Sequence, residues 1–77
     1  MRKAHVLPHV PNGARVHVRS EHFQEECEGV VSKALYGDGW LYRIEVIAGD
    51  SMDSERDAHG ELWVWDLEVH PIQEEQR

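Results

Sequence analysis

The segment Trp40-Leu41-Tyr42-Arg43-Ile44-Glu45-Val46-Ile47 constrains the fold more than any other part of the chain. Aromatic and β-branched residues fill it, and they alternate. Trp40, Tyr42, Ile44 and Val46 make one wholly apolar face, with Leu41, Arg43, Glu45 and Ile47 on the other. A period of two fits a half-buried strand, whereas apolar positions on a helix recur every three to four residues. Helical periodicity of useful length appears nowhere, so the sequence predicts an all-β protein.

Four further segments read as strands on the same grounds. Ala14 to Arg19 alternates strictly, with Ala14, Val16 and Val18 on one face and Arg15, His17 and Arg19 on the other. Ser20 to Cys27 is polar and acidic and reads as a loop whose Phe23 tucks back onto the domain. Gly29 to Tyr36 is a second strand, ended by Gly37-Asp38-Gly39, where glycines supply the positive φ of a tight hairpin. After Trp40–Ile47 comes Ala48 to Gly60, longer than a hairpin needs, and loops of that kind are often mobile or functional. Leu62 to Trp65 is a fourth strand, Asp66-Leu67-Glu68 a tight turn, and Val69 to Ile72 a short fifth strand. Five short strands predict a small barrel, because closure removes the edges that a short open sheet exposes.

Length limits what surrounds these strands. A chain of 77 residues forms one domain and buries only about 60% of its unfolded surface. Residues 13–72 read as that domain. Residues 1–12, with Pro8 and Pro11, read as a flexible N-terminal arm, and 73–77 as a polar C-terminal tail.

Charge bears on partners. Eight Lys plus Arg against 15 Asp plus Glu leave a net charge of −7 with histidine neutral, which opposes binding to nucleic-acid phosphates. Arg2, Lys3, Arg15 and Arg19 cluster near the start but are followed by Glu21, Glu25, Glu26 and Glu28. No apolar run approaches the roughly 20 residues of a membrane helix, and none of signal-peptide type follows Met1-Arg2-Lys3. The expectation is a cytoplasmic protein with no membrane partner. Cys27 is the only cysteine, which rules out an internal disulfide or a multi-cysteine metal site.

The groups that could carry chemistry do not assemble into a site in the sequence. His5 and His9 have ligand spacing only on a helix, which Pro8 interrupts. His17 and His70 could meet across two paired strands as a structural contact. Glu25, Glu26 and Glu28 raise the pKa of the Cys27 thiol, and so it reads as a small apolar residue and not as a nucleophile. Asp50, Asp53, Glu55, Asp57 and Glu61 suggest calcium. However, Ala58 and Val64 occupy the glycine and closing-glutamate places of a loop opened by Asp53, and a loop opened by Asp50 makes Met52 a ligand. A solvated acidic loop is the expectation. The sequence assigns no catalytic residue, no metal and no cofactor.

Gly13-Ala14-Arg15-Val16-His17-Val18-Arg19, Glu28-Gly29-Val30-Val31, Trp40 to Val46, and Leu62 through Pro71 together resemble the strand order of SH3-like barrels. The resemblance covers residues 13–72 and implies a five-stranded barrel whose first and last strands pair antiparallel. It implies little about function, because the fold serves peptide binding, nucleic-acid binding, ribosomal packing and, rarely, catalysis. One enzyme family of this fold has chains of similar length: the plasmid- and integron-borne type II dihydrofolate reductases, tetramers with one shared pore lined by a Val-Gln-Ile-Tyr run. Here the matching stretch is Leu62-Trp63-Val64-Trp65, so Trp63 stands where the glutamine that reads pterin and nicotinamide would be.

Aromatic surplus is the remaining signal. Three Trp, two Tyr and one Phe exceed what so small an interior holds, so some rings lie outside it. Leu62 and Val64 are sufficient to face inward, which turns Trp63 and Trp65 outward. The candidate binding surface comprises Trp63, Trp65, Trp40, Tyr42, Tyr36 and Phe23, since Trp and Tyr are enriched at interface centres. The expected function is a non-catalytic binding or assembly module, self-associating or holding a protein or peptide partner. The alternatives are an enzyme with a site formed at a subunit interface, as in the reductases, and a monomeric peptide-binding adaptor.

Overall fold

The computed structural model describes residues 10–20 and 24–72. Five antiparallel strands, β1 (Arg15–Arg19), β2 (Glu26–Tyr36), β3 (Trp40–Gly49), β4 (Leu62–Trp65) and β5 (Val69–Pro71), make one sheet in the order β4-β3-β2-β1-β5. A 3-10 turn, Asp53–Glu55, lies between β3 and β4, and another, Asp66–Glu68, joins β4 to β5. The outer strands β4 and β5 do not pair with each other, so no ladder closes the sheet into a barrel.

One face of the sheet carries the core. Val16 and Val18 of β1, Cys27 and Val31 of β2, Tyr42 and Ile44 of β3, Leu62 and Val64 of β4 and Val69 of β5 are all buried. These are the positions that alternation selects, because successive side chains of a strand point to opposite faces. The sheet wraps around this core by bending β2 against β3. Register shifts between Glu28 and Gly29 and between Val31 and Lys33 insert bulges, which kink a strand and increase its twist.

At the first bulge the strands come so close that a Cβ on Gly29 would lie 2.5 Å from Ile44 Cγ2 and 2.6 Å from the Glu45 carbonyl oxygen. Glycine is required there by space. Gly49, opposite Cys27, is fixed by conformation as well: its φ is +96°, and a Cβ would approach the Cys27 Cα to 2.9 Å.

Three expectations need correction. β2 starts at Glu26, three residues earlier than Gly29, because Cys27 faces the core and pairs with both Val18 and Gly49. Val10, assigned from sequence to the arm, is fully buried, and its N–H donates to the Tyr42 hydroxyl at 3.1 Å. The chain after it turns through Gly13, whose N–H donates to the Val31 carbonyl at 2.7 Å.

The 48–60 segment is also more ordered than its composition suggests. Ala48 and Gly49 extend β3, and Met52, with φ +62°, is fully buried in the core. Arg56 ties the segment together, donating from Nε to the Ser51 carbonyl at 2.9 Å and from its guanidinium to the Gly60 carbonyl at 2.8 Å. Ser20 donates to Glu55 at 2.6 Å, and Asp50 accepts from the Glu26 N–H at 2.9 Å. His5 and His9, Phe23, and the 73–77 tail lie outside the described residues.

Gly29→Ala should lower unfolding free energy in urea by about 1 to 3 kcal/mol, the usual cost of overpacking, since Glu45 backbone has to move. Met52→Ala should cost about 2 to 5 kcal/mol by leaving a cavity, whereas the exposed neighbour Ser51→Ala should change little. Equal small effects at positions 51 and 52 would mean that Met52 does not anchor the loop.

Candidate functional site

Strand register determines which residues share the outer face. Leu35 pairs with Leu41 and Leu41 with Trp65, a row of apolar side chains running across β2, β3 and β4. One step along the strands, Lys33 pairs with Arg43 and Arg43 with Trp63. Leu35 and Trp65 are 49% and 48% exposed although both are large and apolar, and Trp63 and Leu41 are half-buried beside them. This is an apolar patch with a basic row along one side.

The polar groups around the patch are largely engaged. Trp63 Nε1 donates to Glu61 at 3.1 Å, and Arg43 stands 3.5 Å from Glu45 and 3.7 Å from Glu61. Among the described residues Lys33 makes no ion pair, which leaves its ammonium free on the β2 flank of this face, with Arg43 between it and Trp63.

Of the six aromatic residues named from the sequence, the five other than Phe23 lie within the described residues and divide into groups. Trp63 and Trp65 lie on the outer face, with Leu62 and Val64 inward as alternation requires. Trp40 and Tyr36 sit at the hairpin end of the opposite face. Trp40 is half-buried and stacks on Tyr42 at 6.4 Å, while Tyr36, 58% exposed, tilts against Trp40 at 4.8 Å. Tyr42 corrects the expectation of a surface ring: it is fully buried among Val10, Ile44 and Val64, and its hydroxyl donates to Asp66 at 2.8 Å. Its ring fills the core and its one polar atom binds β3 to the second 3-10 turn. Leu35, Leu41 and Lys33 were missed from the sequence, because only the β2–β3–β4 register sets them in the same cross-strand rows as the tryptophans.

A concavity lies toward the β1 and β5 end of the sheet. A groove of about 740 Å³ is lined by Arg19, Ser20, Gln24, Glu26, Leu67 and His70. Leu67 is 67% exposed there. The cross-strand pair expected from sequence is present: His17 faces His70 across β1 and β5, and His17 Nε2 lies 3.0 Å from a Glu26 carboxylate oxygen.

The acidic loop residues are directed to separate partners. Asp50 and Glu55 accept from Glu26 N–H and Ser20, and Glu61 from the Trp63 indole. Asp57 accepts from the N–H groups of both Glu61 and His59 at 2.9 Å. Those two bonds, the Glu61 one above all, hold the Asp57 carboxyl below its ordinary value of 3.8, since hydrogen bonds to the charged form favour it.

The Cys27 pKa is raised above 9.0, in the direction expected from sequence. The main cause is burial, with Asp50 adding to it and Arg56 opposing it, in place of the neighbouring glutamates.

Set against known protein families, curated proteins and solved structures, the chain matches none. Among the described residues no helix is long and apolar enough to cross a membrane.

Two measurements check this geometry. Because the folded Asp57 pKa is depressed, its contribution is present above pH 3.8 and is lost as pH falls through the folded value. The protection factors of the His59 and Glu61 amides, corrected for intrinsic exchange, should therefore hold at pH 4 to 5 and fall only below pH 3.8. In Asp57→Ala both amides should exchange fast throughout. At pH 8 the Cys27 thiol should react with a disulfide reagent at least about tenfold slower in the folded chain than in denaturant; equal rates would place it at the surface.

Proposed function

We propose that the chain is an SH3-like barrel serving as a non-catalytic binding and assembly module, and that it associates with itself through the outer face of β2, β3 and β4. The barrel reading is supported by β1 lying between β2 and β5 and pairing antiparallel with both, the neighbour relation that the resemblance implies. The single observation that carries the binding role is the Leu35–Leu41–Trp65 row, whose ends are each about half exposed. Water next to such a row is released when a partner covers it, and contiguous apolar surface on a small protein usually means contact.

A peptide-binding adaptor is the second reading, favoured by the groove beside Leu67 and His70. The reductase alternative has less support: Trp63 lies on the outer face and its indole N–H is bound to Glu61.

Sedimentation velocity separates these readings. Self-association below about 100 μM is the expected outcome, and Trp65→Ala or Trp63→Ala should weaken it by about 1 to 3 kcal/mol each. A strict monomer at that concentration would remove the assembly reading and leave the adaptor. Tryptophan fluorescence should stay flat on titration with NADPH or folate; saturable quenching would revive the reductase.

A further inference from the structure

Asn12-Gly13 sits in a turn that the structure fixes at both ends. The Ala14 N–H donates to the Pro11 carbonyl at 3.2 Å, and within the turn only Gly13 has positive φ, +89°. That combination is a type II β-turn with asparagine second and glycine third. On one side of it Val10 is fully buried, with its N–H on the Tyr42 hydroxyl at 3.1 Å. On the other, Gly13 and Ala14 both bond Val31. The Gly13 N–H donates to the Val31 carbonyl at 2.7 Å, and the Val31 N–H donates to the Ala14 carbonyl at 3.0 Å. Pro11, Asn12 and Gly13 are exposed between these anchors.

Asparagine followed by glycine has a chemistry of its own. The Gly13 amide nitrogen, unhindered by a side chain, attacks the Asn12 side-chain carbon Cγ. The Cγ–Nδ2 bond breaks, ammonia leaves with the proton of the attacking nitrogen, and a cyclic succinimide remains. Water then opens the ring at either carbonyl to leave aspartate or isoaspartate, so water is the sole co-reactant.

The folded turn opposes the first step. The attacking nitrogen must give up the hydrogen that the Val31 carbonyl holds. The Asn12 Cα–C bond must also rotate to bring that nitrogen to Cγ, which breaks the bond between Ala14 and Pro11. Rotation needs slack in the chain. Val10 is the end that supplies it, since Ala14 leads straight into β1, which is paired on both sides.

We infer that Asn12 is a deamidation site, closed while Val10 is seated in the core and opened when Val10 leaves it. The product acts back on the fold. Isoaspartate puts one extra carbon into the main chain, so the turn no longer matches Val10 on Tyr42 with Ala14 on Val31. Aspartate keeps the backbone length and adds only a negative charge. The isoaspartate route thus turns a reversible opening into a permanent one, and it does not depend on the self-association proposed above.

The test follows the Asn12 peptide by mass spectrometry and isoaspartyl methylation after incubation of the full chain in mildly alkaline buffer. Deamidation of the folded chain should run at least about tenfold slower than in guanidinium, as for a site reached only by opening. Tyr42→Phe keeps the ring but removes the acceptor of the Val10 N–H, and should speed the reaction about fivefold. Met52→Ala, which weakens the core from the 48–60 segment, should leave it near the wild-type rate. The isoaspartate product should lose the exchange protection of the Val31 amide that Asn12→Asp retains. Equal rates in folded and denatured chain, or no reaction at Asn12 in either, overturn the inference. No acceleration by Tyr42→Phe, or equal acceleration by Met52→Ala, overturns the role of Val10. A Val31 amide as protected in the isoaspartate product as in Asn12→Asp overturns the effect on the fold.

Discussion

The closeness of β2 and β3 at Gly29 is the constraint on which the rest of the structure depends. Ile44 Cγ2 and the Glu45 carbonyl occupy the space that any side chain at that position would need. That approach, with the bulges on either side of Val30 and Val31, lets one long hairpin bend enough to serve both halves of the sheet. β2 pairs with β1 through Glu26 to Val30 and with β3 along nearly its whole length. A straight hairpin would hold the same residues in a flat sheet, and Val16 and Val18 could not reach the core that Leu62 and Val64 share.

With the sheet bent, the two faces take different fates. The concave face encloses Tyr42, whose hydroxyl joins Val10 from the N-terminal segment to Asp66 after β4. One buried phenol thus ties three distant parts of the chain, and its polar atom is satisfied on both sides, as burial demands. Among the described residues the convex face has no second layer above β2, β3 and β4. Trp65, Leu35 and Leu41 remain on it because there is no segment among the described residues to cover them. In a domain this small the number of rings exceeds the enclosed volume, and the excess collects where the strands are longest and least covered.

The acidic loop shows how composition misleads about order. Gly, Asp and Ser suggest a solvated connection, yet Met52 enters the core from it and Arg56 holds its two ends by backbone carbonyls. A lone apolar residue in a polar stretch has no periodicity to mark it as core. Its burial follows from the left-handed turn at its own backbone and from the gap that the bent sheet leaves beside β4. The carboxylates there bind backbone N–H groups, a serine and an indole, so their clustering in sequence reflects turn chemistry.

Alternation by itself determined the five strands, the inward positions of Val16, Val18, Ile44, Leu62 and Val64, and the outward turn of Trp63 and Trp65, because a period of two is a local property of an extended backbone. Glycine placement likewise marked the Gly37–Gly39 turn. Only the tertiary structure decided that Tyr42 is core, that Met52 and Val10 complete the interior, and that Leu35, Leu41 and Lys33 fall in the same cross-strand rows as the tryptophans. Those outcomes depend on cross-strand register and on the volume left inside a bent sheet. Both arise from contacts between residues far apart in the chain, which no local pattern encodes.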